Sequence, residues 1–189
     1  DVSNPNDSGS KIIATLNKEG KMTLSGTGSM IEFETIEEKR AYWNGIRKRI
    51  KSLEVGEGIT TIGSWAFYWC DELTQVKLPT SLKGIDSYAF FGCVNLKTIN
   101  IPENIQSIGK RAFCHCENIT EVTIPSQVTE LCEEVFRDCY RLKKLNIKGD
   151  ITQIGYRALF NCPSLTAFTV SPYVITIGNE AFAVDFSVN

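Results

Sequence analysis

Histidine occurs once in this chain, at position 115, and it stands between Cys114 and Cys116. A thiol, an imidazole and a thiol in a row could ligate a metal or supply a Cys–His pair for nucleophilic catalysis. Each chemistry makes a geometric demand. Structural zinc is normally held by two ligand pairs with turn-forming spacers, and Cys114-His115-Cys116 has none. A thiol hydrolase brings its histidine to the cysteine from a distant part of the chain, whereas this imidazole is a sequence neighbour of both thiols. Glu133 and Glu134 could pair for acid–base work, but adjacent helix residues point apart, which reads as a solvated face. Gly26-Thr27-Gly28 lacks the lysine and the spacing of a phosphate loop. Arg47-Lys48-Arg49 with Lys51 is a basic cluster, read as the charged C-terminal end of a helix rather than an anion site. The expectation is therefore a chain with no catalytic residue, no metal and no cofactor. Twenty basic side chains against 22 acidic ones leave a net charge of −2, so there is no electrostatic footprint for nucleic acid. No apolar run is long enough for a transmembrane helix.

The cysteines speak of construction instead. Cys70, Cys93, Cys116, Cys139 and Cys162 are 23 residues apart, four times running. Phe67, Phe90, Phe113, Phe136, Leu159 and Phe182 keep the same step, as do Ala66, Ala89, Ala112, Val135, Ala158 and Ala181. Ile62, Ile85, Ile108, Leu131, Ile154 and Ile177 form a third column, and Val76, Ile99, Val122, Leu145 and Phe168 another. Such self-similarity is the mark of a solenoid, in which a coil buries its apolar edge only by stacking on its neighbours. Column cysteines then act as small buried hydrophobes. Equivalent residues on stacked coils lie about 4.8 Å apart, beyond the ~3.8 Å typical of bridged Cβ atoms. Cys114 with Cys132 is the pair left for a disulfide, and the odd count keeps at least one thiol unbridged, which fits a reducing or anaerobic setting.

The elements follow from periodicity. In Thr74-Gln75-Val76-Lys77-Leu78 the alternation turns Val76 and Leu78 inward, and Pro79 ends the strand. Ile59, Ile62 and Gly63 mark a second short extended piece. Ala66, Phe67, Cys70 and Leu73 fall at helical spacing, which predicts one or two helical turns over residues 64–70. Residues 1–10 are rich in Asn, Asp, Ser and Pro and read as a flexible linker. Two strands flanking Asn17-Lys18-Glu19-Gly20 predict a hairpin. Thr35 with Glu38 forms a capping-box pattern ahead of the stripe Ile36, Trp43, Ile46 and Ile50, which predicts a helix. The expected organisation is a linker over 1–10, a hairpin-plus-helix cap over 11–49, and an α/β solenoid of about six 23-residue coils over 50–189.

The unit Cys-x-x-Leu-x-x-Val-x-Leu-Pro followed by Ile-Gly-x-x-Ala-Phe-x-x-Cys resembles the BspA-like, treponemal-type leucine-rich repeats. Residues 99–116 show it well, with Ile108-Gly109, Ala112-Phe113 and Cys116 in place. The leader Lys21-Met22-Thr23-Leu24-Ser25-Gly26-Thr27-Gly28-Ser29-Met30, with Trp43 after it, resembles the cap that precedes such repeats. Asp86 and Cys132 depart from the glycine, Val135 from the alanine, Leu159 from the phenylalanine and Lys148 from the proline. The resemblance implies a secreted or surface-anchored protein of a host-associated bacterium, its leader removed ahead of Asp1. It implies adhesion to a protein, host extracellular matrix included, or to a glycan. A structural spacer or accessory module presenting another domain is the alternative.

Two exposed sets of residues are the candidates for binding. The outward strand positions Gln75, Lys77, Thr98, Asn100, Glu121, Thr123, Lys144 and Asn146 form a flat polar strip suited to a modest-affinity contact. The rival is an aromatic group, Trp65, Tyr68, Trp69, Tyr88 and Phe91, since Trp and Tyr anchor interfaces. Such rings also stack on one another for purely structural reasons. His115 and Arg111 are expected to be solvated surface residues.

Overall fold

The computed structural model describes residues 7–31, 45–166 and 168–185, and in it each 23-residue unit closes into one coil. The first side of each coil is a short parallel strand: β3 (Ser52–Val55), β5 (Gln75–Lys77), β7 (Thr98–Ile99), β9 (Glu121–Ile124) and β11 (Lys144–Ile147). Leu53 pairs with Val76, Val76 with Ile99, and Val122 with Leu145, so the repeat period is the coil length. The second side carries β4 (Ile59–Ile62), β6 (Gly84–Ile85) and β8 (Ser107–Ile108), and further along β10 (Glu130–Leu131), β12 (Gln153–Ile154) and β13 (Thr176–Ile177). The result is a parallel β-solenoid of about five coils.

The predicted hairpin is β1 (Lys11–Leu16) with β2 (Lys21–Ser29), paired antiparallel. β2 runs along both ladders at once. Met22 pairs with Leu53 of β3, and further on Gly28 pairs with Ile59 of β4 and, past a bulge, Ser29 with Thr61. The hairpin therefore supplies the strand edges that the first coil would otherwise leave open. The predicted helix falls largely on residues 32–44, outside the described residues. Its described end is a turn at Gly45–Ile46 and a 3-10 turn at Arg47–Arg49, so the basic cluster does not end an α-helix there.

The expected helical turns over residues 64–70 are not formed. The amides of Ala66, Tyr68 and Cys70 bond three residues back within the coil, while those of Trp65, Phe67 and Trp69 donate to Ser87, Ala89 and Phe91 of the next coil. Trp65 and Trp69, whose own amides bond along the stack, take left-handed backbone with φ of 62° and 52°. The apolar spacing imitates a helix, but a helix would spend these donors internally and leave the third side of the stack unbonded. A buried backbone group must find a partner, and here every second donor finds it in the next coil.

The core is a stack of columns. Phe67, Phe90, Phe113 and Phe136 are fully buried with successive ring centroids 5.5 Å apart. The column cysteines are buried thiols, and they do more than fill space. Sγ of Cys93, Cys116, Cys139 and Cys162 lies 3.1–3.3 Å from the carbonyl of Phe67, Phe90, Phe113 and Phe136 respectively, placed to donate. Cys114 and Cys132 are likewise thiols, not a bridge.

Candidate binding surfaces

The strand ladder lays the first candidate set side by side. Gln75, Lys77, Thr98, Asn100, Glu121 and Lys144 are exposed, and Thr123 and Asn146 are half-buried. Between them Leu53, Ile99, Val122 and Leu145 face the core, as the period of two requires. The charges are matched across coils rather than left single. Glu54 Oε1 accepts from Lys77 Nζ at 2.8 Å, and Glu54 Oε2 meets Lys21 Nζ at 2.5 Å. These hydrogen bonds, Lys21's first, hold the Glu54 carboxyl down at about 2. Glu121 pairs with Lys144 at 3.0 Å and accepts from Asn146 at 2.9 Å, which lowers its pKa too. The charges of the strip are thus held in cross-coil pairs, with Glu54 shared by two lysines and Glu121 by Lys144 and Asn146.

The aromatic set also comes together. Trp65 stacks on Tyr88 with centroids 3.8 Å apart and planes 5° from parallel. Tyr68 stacks on Phe91 at 4.9 Å and meets Trp65 edge-on at 5.0 Å. Trp69 is more than one-third exposed and lies flat against Gly92, where a Cβ would come within 2.6 Å of its ring. Gly92 is the glycine of that column, and at φ 72° it takes the left-handed conformation at no steric cost.

Sequence reasoning missed the continuation of this side. Arg111, Glu134 and Arg157 occupy the coil position of Trp65 and Tyr88, all with positive φ. Arg111 donates from Nη1 to Tyr88 Oη at 2.8 Å and from Nε to Glu134 Oε2 at 2.6 Å. Arg137 Nη1 reaches Glu134 Oε1 at 3.3 Å. Burial works against the Glu134 charge, but the Arg111 hydrogen bond and the two guanidiniums outweigh it, and the carboxyl is held below its usual range. Four residues on in each coil, His115, Asp138 and Asn161 form a second ladder. His115 Nε2 lies 3.4 Å from Asp138 Oδ2, and Asn161 Nδ2 donates to Asp138 Oδ1 at 2.7 Å. His115 and Arg111 are therefore only partly solvated, with side chains 30% exposed and bound into these ladders. The signal was in the sequence: the residues 23 apart read Trp, Tyr, Arg, Glu, Arg, Glu, a run of stackable and oppositely charged partners. The solvated face expected of Glu133 and Glu134 is not formed: Glu134 is buried, and both carboxylates reach Arg111, Glu134 at 2.6 Å and Glu133 at 3.9 Å, with Glu133 also 2.8 Å from Lys110. No helix among the described residues is long and apolar enough to cross a membrane.

Comparison with solved structures returns bacterial leucine-rich repeat proteins. One from Eubacterium ventriosum is 25% identical with a TM-score of 0.69, covering 86% of this chain and 42% of its own. A leucine-rich cell surface protein from Faecalibacterium prausnitzii is 25% identical with a TM-score of 0.60, covering 87% of this chain and 53% of its own. A leucine-rich repeat protein from Bacteroides ovatus shares the fold at 24% identity and a TM-score of 0.71, covering 92% and 49%. The chain thus spans about half the length of these relatives. No curated protein matches it. The model of the BspA-type leucine-rich repeat region, a repeat family rather than an enzyme family, matches six times in succession over residues 60–188. With the 23-residue coils, the glycine and cysteine columns and this match in agreement, the chain belongs to the BspA-type leucine-rich repeat family.

Proposed function

We propose that this chain is a non-catalytic binding module, secreted or displayed on a bacterial surface, that engages a protein or glycan partner through the strand ladder. The reading is supported most by the strip from Gln75 to Asn146. It is exposed over successive coils, set in exact register by the parallel ladder, and held in place by its own cross-coil pairs. A surface whose side chains are already positioned loses less entropy on binding than one that must order them. Because Glu54 and Glu121 are matched by lysines, the complex is expected to be only weakly salt-dependent, unlike an electrostatically steered one. One similar structure is that of a cell-surface protein, which supports the surface setting, and adhesion to extracellular matrix is the role proposed with it. The organisation proposed with it keeps residues 11–49 as cap and 50–189 as solenoid.

The aromatic group offers a second reading, favoured by Trp69, whose ring is exposed and braced against Gly92. A panel of matrix proteins and glycans, screened with the purified chain, supplies the partner. The double variant Lys77→Glu, Lys144→Glu then places a third and fourth acid beside Glu54 and Glu121 and is expected to weaken binding at least tenfold. Unchanged affinity with an intact circular dichroism spectrum overturns the strand-face assignment. Loss on Trp69→Ala in its place moves the site to the aromatic side.

A further inference from the structure

The solenoid brings to His115 a ligand that its own coil lacks. Cys114 and His115 lie on one coil, and Asp138 stands one coil on, 23 residues after His115. His115 and Asp138 share the left-handed backbone, with φ of 57° and 58°, so their side chains leave the coil in parallel. Cys114 Sγ, a ring nitrogen of His115 and a carboxylate oxygen of Asp138 all fall within 4.8 Å of one another. Cys116, the thiol that sequence adjacency suggests, is fully buried in the core column and takes no part. We propose that Cys114, His115 and Asp138 form a binding site for a divalent transition metal of intermediate softness, zinc foremost.

Three features carry this assignment. The first is distance. His115 Nε2 and Asp138 Oδ2 are 3.4 Å apart, and two ligands each about 2.1 Å from a tetrahedral zinc are separated by about 3.4 Å. The Cys114 sulfur stands within 4.8 Å of a ligand atom on each of these residues, as the third member of the set. The second is the donor set. One sulfur, one nitrogen and one oxygen suit zinc or cobalt, whereas magnesium and calcium take oxygen alone. The third is the surrounding shell. Asn161 Nδ2 binds Asp138 Oδ1 at 2.7 Å, which leaves Oδ2 turned to His115, and outer-shell bonds of this kind orient metal-binding carboxylates. Asp138 and Cys114 are almost wholly buried, while His115 reaches the surface and keeps a side open for a water as fourth ligand. Trp69 and Phe91 flank the imidazole with ring centroids 6.3 Å and 5.3 Å away.

The present cation on Asp138 Oδ2 is Arg137, whose Nε lies 3.0 Å away. Its Nη1 also reaches Glu134 at 3.3 Å, so a metal displaces one contact of the guanidinium and leaves the other. Cys114 gives up its thiol proton to solvent as the metal–sulfur bond forms, so the exchange balances in charge and protons.

Cobalt(II) titrated into the untagged, reduced chain tests the site, because thiolate ligation gives a near-ultraviolet charge-transfer band that carboxylates and imidazole do not. One equivalent is expected to produce the band, zinc to bleach it, and Cys132→Ser to leave it unchanged. His115→Ala and Asp138→Asn are each expected to weaken binding about tenfold or more, and Cys114→Ser to abolish the band. Arg137→Gln is expected to tighten binding by removing the competing cation. No band in the native chain, a band lost in Cys132→Ser, or one that survives in Cys114→Ser or at full affinity in His115→Ala overturns the proposal. Zinc is also expected to raise the melting temperature of the native chain more than that of His115→Ala, so a variant that folds poorly still reports. An equal rise in both overturns the site.

Discussion

Phe113 and Arg111 are two residues apart, yet they answer to different forces. Phe113 is fully buried between Phe90 and Phe136, so Phe113→Ala is expected to cost roughly 3–5 kcal/mol through lost transfer energy and an unfilled cavity. From sequence alone, Arg111 reads as a surface residue whose removal costs almost nothing. The structure changes that expectation, because Arg111 is the nearer of two cations on the almost fully buried Glu134. Arg111→Ala is expected to cost about 1–3 kcal/mol at neutral pH, the range for a buried charged group losing a partner. The pH dependence separates this from simple loss of packing. Glu134 has its pKa lowered on folding, so the stability it lends is complete above the unfolded value of about 4.3 and is lost as pH falls through the folded one. The gap between the native chain and Arg111→Ala should therefore narrow from pH 7 to pH 3 in denaturant melts, while the gap for Phe113→Ala should not. A pH-independent Arg111 gap would remove Glu134 from the account.

Strands and the third side of the coil were not equally legible. Period-two alternation in Gln75-Val76-Lys77 allows one reading only, because inverting it would expose Val76 and bury a lysine. The span from Trp65 to Cys70 allows two, since apolar residues one, four and seven apart suit a helix and suit a rolled ladder equally. What decides is where the amides of Trp65, Phe67 and Trp69 bond, and that depends on the neighbouring coil, not on the local sequence. For the same reason Cys114 and His115 were visible as chemistry while Asp138 was not. The cysteine column was legible as burial but not as hydrogen bonding. Its thiols are expected to react slowly with a thiol reagent in the native state and completely once denatured. Cys132, the least buried of the seven, should label first, and slowly at neutral pH, because burial and then Glu130 push its thiol up to about 12. Labelling should accelerate with pH as the thiolate fraction grows. Mass spectrometry of the native chain that showed Cys70, Cys93 or Cys116 modified ahead of Cys132 would contradict the register stack.

A stack in which each coil touches only its neighbours is as stable at any point as its local contacts make it. At the first coil β2 closes both ladders, and Ile12, Met22 and Leu24 of the hairpin are buried against them. The middle coils are bonded on two faces, with Phe90 and Phe113 sealed between like rings. Toward residue 185 the columns come open. Ile154 is buried, but Ile177 in the same column is 54% exposed and Ile175 beside it is 83% exposed. β13 is two residues long and pairs on one side with β12. Burial of apolar area is the main driving force for keeping a coil docked, so opening free energy should fall along the chain from β9 toward β13. Hydrogen exchange followed by mass spectrometry should find the amides of β3, β5, β7 and β9 exchanging through global unfolding. Those bonding β13 and the turn after it should exchange through local opening at far lower cost. Ile177→Lys should then leave the protection of β5 to β9 unchanged, because it acts on a coil already nearly free of the core. Uniform protection from β3 through β13, or loss of central protection in Ile177→Lys, would show that the coils unfold as one body instead.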